Sequence, residues 1–110
     1  MTTPQANVGE LVDVRPMSSA LAASPRTILL LAEQVEIARL AVPAGREIPE
    51  HKAKGEIVVQ CLEGRVAYTV FGKTLTLEPG KLLYMPMGEP HSVKGIEDAS
   101  LLLTILLPKH

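Results

Sequence analysis

The chain is poor in the features that most readily announce a function. It holds one cysteine and no tryptophan among 110 residues, and its formal charge is only -1. A lone Cys61 excludes an intrachain disulfide and fits a reducing compartment, so a cytoplasmic location is expected. The near balance of 11 basic and 12 acidic residues leaves no basic stripe, which argues against nucleic acid and anionic lipid surfaces as partners. No apolar run approaches the ~20 residues of a membrane span. The longest, Leu101 to Leu107, is interrupted by Thr104. The N-terminus lacks a basic segment followed by an apolar block, so no signal peptide is expected. Also missing are a phosphate-cradling glycine loop, a nucleophile elbow, a CxxC pair and any long amphipathic helical repeat.

What is present is a succession of short extended runs. Residues 1–25 are rich in Ser, Ala, Pro and Thr and read as an N-terminal arm. Residues 26–110 read as one domain, long enough to bury a core without metal or disulfide staples. Within it, period-two or continuous apolar runs cover Thr27 to Ala32, Val35 to Val42, Ile57 to Leu62, Arg65 to Phe71, Thr74 to Leu77, Leu82 to Met85, His91 to Ile96 and Leu101 to Leu107. Turn-forming pieces separate them: Pro43-Ala44-Gly45, Glu63-Gly64, Gly72-Lys73, Pro79-Gly80 and Glu97-Asp98. Eight short strands with tight turns predict an all-β sandwich or barrel.

The most specific segment is GKLLYMPMGEPH, Gly80 to His91, in which a glycine, a proline, a second glycine and a histidine stand at fixed intervals. Pro86 and Gly88 bend the backbone so that His91 opens the next strand. This spacing resembles the second signature of the cupin superfamily at every named position. The first cupin signature aligns with Gly45 to Gly64 only in part. Gly45, His51 and Gly64 hold their places, Ala53 stands where the second histidine belongs, and Ile57 stands where the glutamate belongs. Gly95 occupies a position where the family often has asparagine. The resemblance covers roughly the C-terminal two-thirds and implies a double-stranded β-helix, or jelly-roll barrel.

The resemblance also implies where chemistry would sit. In typical cupins two histidines and a glutamate of the first signature, with the histidine of the second, hold a divalent metal. Here only His51 and His91 have counterparts, too few for the three protein ligands usual at catalytic zinc or non-haem iron. Weak binding of a divalent transition metal by His51 and His91 is the most this set predicts, and no cofactor is expected with certainty. Ile57, Gln60, Cys61 and Tyr84 are the candidate pocket-lining residues. Glu56, Gln60 and Cys61 are the nearby groups with a donor atom for a displaced metal, although Glu56 and Gln60 share a parity opposite to Ile57 and read more plainly as solvated strand residues, and a lone Cys as a small buried apolar group. Arg39 has two readings, a cavity residue gripping a carboxylate or an exposed arginine on an edge strand.

The pocket supports two functions of different class. One is a stand-alone small cupin that binds a small, mostly apolar molecule in its barrel. The other is a metal-dependent dioxygenase or isomerase that completes the coordination of His51 and His91 with non-standard ligands. A metal-free epimerase, with His51 or His91 as base and Tyr68 or Tyr84 as acid, has no Asp to orient its base. The chain is therefore left open between enzyme and binding protein. The last strand carries leucines on both faces, and one of those rows needs a cover. A homodimer in which the arm adds to the neighbour's sheet is expected over a monomer whose arm covers its own body. Sedimentation as a monomer at micromolar concentration excludes that assembly.

Overall fold

A computed structural model describes residues 8–15 and 26–108. Most of the arm, including residues 16–25, lies outside the described residues. Among the described residues nine strands form: β1 (Arg26–Leu31), β2 (Val35–Val42), β3 (Glu47–Lys52), β4 (Glu56–Glu63), β5 (Val66–Val70), β6 (Lys73–Leu77), β7 (Leu82–Met85), β8 (Pro90–Gly95) and β9 (Ala99–Leu106). They make two antiparallel sheets, ordered β1-β2-β9-β4-β7 and β3-β8-β5-β6. This is a jelly roll. No helix long and apolar enough to cross a membrane occurs among the described residues.

Alternation of side chains explains both the sheets and the core. On β4, Ile57, Val59 and Cys61 are buried while Glu56 and Gln60 are exposed, and on β5 Val66, Tyr68 and Val70 are buried. Inward rows from the two sheets meet in one cluster, in which Val42, Val59, Val66, Met85 and Leu101 are sealed from solvent. Removing even one methylene from such a closely packed set is felt.

Three expectations are corrected. Eight strands were expected where nine form, and the additional one is β3. Its sequence EIPEHK is charged, mostly exposed and broken by Pro49, so it lacks an apolar period. It survives because it is the edge strand of its sheet, where a missing N–H costs no ladder bond. Phe71 belongs to a turn rather than to the strand before it. With φ of 54° at Phe71 and 73° at Gly72, the two-residue connection of β5 to β6 has the double positive φ that matches the twist of a hairpin. Arg39 is neither on an edge strand nor in the cavity, since β2 lies between β1 and β9 and presents Arg39 on the outer side opposite Leu102.

The two sides of β9 have different fates. Leu101, Leu103 and Ile105 fill the barrel, whereas Leu102 and Thr104 are half-buried on the outside and Leu106 is exposed. Leu82 and Tyr84 on β7 extend the same outer surface. Arg39 Nη2 donates to the Asp13 carbonyl at 3.1 Å, which ties the described piece of the arm to its own chain.

Candidate functional site

A cavity of about 590 Å³ opens between the sheets at one end of the barrel. Its floor is hydrocarbon from three strands of the larger sheet, chiefly Leu40, Ile57, Leu101, Leu103 and Ile105. Its smaller-sheet wall carries His51, His91 and Tyr68. Parity brings the polar groups here. His51 and His91 are direct partners across β3 and β8, and Val70 and Tyr68 pair with His91 and Val93 across β5 and β8. A register shift between Ile48 and His51 re-aims the end of β3, as bulges beside binding sites do.

The turn of the second signature locks this corner. Gly88 has φ of 82°, a conformation that side-chain-bearing residues rarely adopt, and its N–H donates to the Ala53 carbonyl at 3.1 Å. The segment after β3 and the turn before β8 are thereby joined. The expected asparagine is replaced by Gly95 for a steric reason: a Cβ there would run into the Pro43 carbonyl.

Both imidazoles are held in the same way. His51 Nδ1 lies 3.0 Å from the Pro49 carbonyl and His91 Nδ1 lies 3.0 Å from the Glu89 carbonyl. A carbonyl only accepts, so each Nδ1 carries the proton and each neutral ring keeps a lone pair on Nε2. The ring centroids are 4.1 Å apart at 62°. Tyr68, 2% exposed, stacks on His91 at 5.7 Å and 11°. Burial raises the Tyr68 phenol well above its ordinary pKa, which keeps it a neutral donor and removes it as an acid near neutral pH.

The family described as the cupin domain matches residues 38–106, well over half of the sequence. The chain belongs to the cupin family. Solved structures share its fold. A cupin superfamily protein from Desulfitobacterium hafniense DCB-2 has a TM-score of 0.74 at 20% identity, over 94% of this chain and 100% of that one. A conserved protein of unknown function from Streptococcus pyogenes gives 0.71 at 21%, over 94% and 100%. A predicted oxalate decarboxylase from Thermotoga maritima gives 0.68 at 26%, over 76% and 79%. No curated protein matches this cupin significantly.

Of the cupin coordination posts, His51, Ala53, Ile57 and His91 all line this one cavity. Two are hydrocarbon. No group of three or more His, Cys, Asp or Glu side chains suited to a metal ion exists among the described residues. The residues present therefore do not fit a three-ligand metal centre, because a divalent ion here meets two neutral nitrogens and no compensating carboxylate.

The other candidates are dispersed. Ile57 lines the cavity, and Gln60 and Tyr84 do not. Both project from the outer side of their strands, where the Tyr84 hydroxyl donates to the Glu56 carboxylate at 2.7 Å. That bond raises the Tyr84 pKa. Cys61 faces inward into the core beside Leu101 but is not part of the cavity lining. Its Sγ donates to the Glu63 carbonyl at 3.3 Å, and burial pushes the thiol pKa up.

Four cations at the cavity, Arg26, Arg46, Lys52 and Lys54, carried no signal in the sequence. Arg46, Lys52 and Lys54 lie in one segment around β3, Arg26 opens β1, and none is a named position of either signature. Glu36 is 4% exposed and is held by Arg26 at 2.9 Å and Lys54 at 3.2 Å.

Burial is also the first cause that lowers the His91 pKa from its ordinary 6.5, and repulsion from His51 when that ring is protonated acts in the same direction. The unfolded chain then holds the proton that the fold sheds. Stability from neutral His91 is complete above the unfolded pKa and is lost as pH falls through the lower folded value. The melting temperature is expected to drop on acidification from about pH 7.5 to about pH 5, and His91→Gln to remove that part of the drop. An unchanged pH profile in the variant excludes His91 as the origin.

Proposed function

We propose that this cupin binds a small, mostly apolar molecule in its barrel. The observation that carries the reading is a cavity of about 590 Å³ whose floor is aliphatic and whose polar lining includes two imidazoles, a phenol and four basic side chains. Pockets of that size, apolar with a few convergent polar groups, are typical of small-ligand sites. The two Nε2 lone pairs accept hydrogen bonds, and the Tyr68 hydroxyl, which has no partner among the described residues, donates one. Hydrocarbon burial supplies affinity and these groups fix orientation.

The rival reading is a metal-dependent cupin enzyme that uses His51 and His91. It is supported by two lone pairs on adjacent strands, and opposed by the side chains at positions 53 and 57. The experiment that separates them is elemental analysis of untagged protein, together with mass spectrometry of small molecules released on denaturation. The expected result is an organic ligand and less than stoichiometric metal. A full equivalent of iron, manganese, nickel, copper or zinc, lost on His51→Ala or His91→Ala, replaces the binding reading with the enzymatic one.

A further inference from the structure

Not one carboxylate side chain lines the cavity, yet four cations do, in a chain whose formal charge is -1. Away from the cavity several basic side chains are matched, Arg65 with Glu97 at 2.6 Å, Lys81 with Glu78 at 3.3 Å and Lys94 with Glu47 at 3.7 Å, while Lys73 has no carboxylate partner among the described residues. At the cavity, Glu36 engages Arg26 and Lys54. Arg46 and Lys52 have no carboxylate partner among the described residues. Positive charge is therefore concentrated around this hydrocarbon-floored cavity, and low-dielectric walls focus such a field.

We infer that the ligand is an amphipathic carboxylate, its hydrocarbon body against Leu101, Leu103 and Ile105 and its anionic group drawn to the unpaired cations of the lining, Arg46 and Lys52. This rests on the barrel being the binding site. It adds the charge and polarity of the occupant. A carboxylate suits the arrangement because the guanidinium and ammonium groups only donate. A cationic amphiphile would meet repulsion there, and a neutral one would leave Arg46 and Lys52 without a counter-charge.

The test is calorimetric titration of the full chain with three probes of equal chain length: octanoate, 1-octanol and octylammonium. Octanoate is expected to bind about tenfold or more tighter than 1-octanol, because hydrogen bonds to charged groups exceed neutral ones. Added salt should narrow the gap. The paired substitution Arg46→Gln with Lys52→Gln is expected to reduce octanoate to the affinity of 1-octanol. Both residues are exposed, so the fold should tolerate the change, and the melting temperature checks this. Lys81→Gln, which breaks an ion pair away from the cavity, should leave octanoate binding intact. If 1-octanol or octylammonium binds as tightly as octanoate, the carboxylate inference is overturned while the barrel reading stands. If none of the three binds at millimolar concentration, the barrel reading falls and takes this inference with it.

Discussion

Gly64→Ala is expected to destabilise the protein by roughly 3 kcal/mol or more, enough to unfold a domain of ordinary stability. Two effects act at once. Gly64 has φ of 72°, which disfavours any Cβ, and an added Cβ would be driven into the Asp98 carbonyl and the Ala99 Cα. Those atoms are backbone at the entry of β9, the central strand of its sheet, and cannot move aside as a flexible side chain can. Gly45→Ala is the control. Gly45 has a similar φ of 83° with nothing near the added atom, so it should cost only about 1 kcal/mol. Urea denaturation of both variants reads the difference. Equal midpoints would mean that the turn, and not the close approach, sets the requirement at position 64.

Restoring the missing coordination posts is expected to create a metal centre. In the double variant Ala53→His, Ile57→Glu, His51 and His91 gain a third nitrogen and a carboxylate whose charge offsets that of the ion. About one equivalent of zinc per chain should remain after dialysis, against much less for the wild type. Ile57→Glu alone should behave differently. Position 57 is 5% exposed and pairs with Ile105 and Met85, so a lone carboxylate there has no partner and costs on the order of 3 kcal/mol. The melting temperature of the double variant should then rise with zinc and fall with a chelator, while the wild type responds to neither. A double variant that is folded, metal-free and indifferent to zinc would show that the four posts do not converge.

Both outcomes depend on residues that differ in how plainly the sequence displays their role. Pro86, Gly88 and His91 stand at fixed intervals within one turn and strand, and His51 with Ala53 and Ile57 follows from side-chain parity, so the histidine wall and its hydrocarbon neighbours were legible. The same parity rule, applied from Ile57 and Met85, sets Gln60 and Tyr84 on the outer face, against their reading as pocket-lining residues. Membership of a strand says which side a residue faces, but not which inward residues border a void: Cys61 faces inward level with Leu101, and only Leu101 lines the cavity.

The sequence by itself determined the strand rhythm, the turns that divide it, the jelly-roll architecture and the pair of imidazoles, because each depends on residues that are neighbours along the chain or recur at a local period. Only the tertiary structure decided the charge of the site. Arg26, Glu36 and Lys54 belong to β1, β2 and the segment after β3, and they meet because two sheets fold over one another. Arg46 and Lys52 are left without carboxylates by the same packing. Electrostatic pairing depends on distance in space, which falls off steeply over a few ångströms, and no spacing along the chain encodes it.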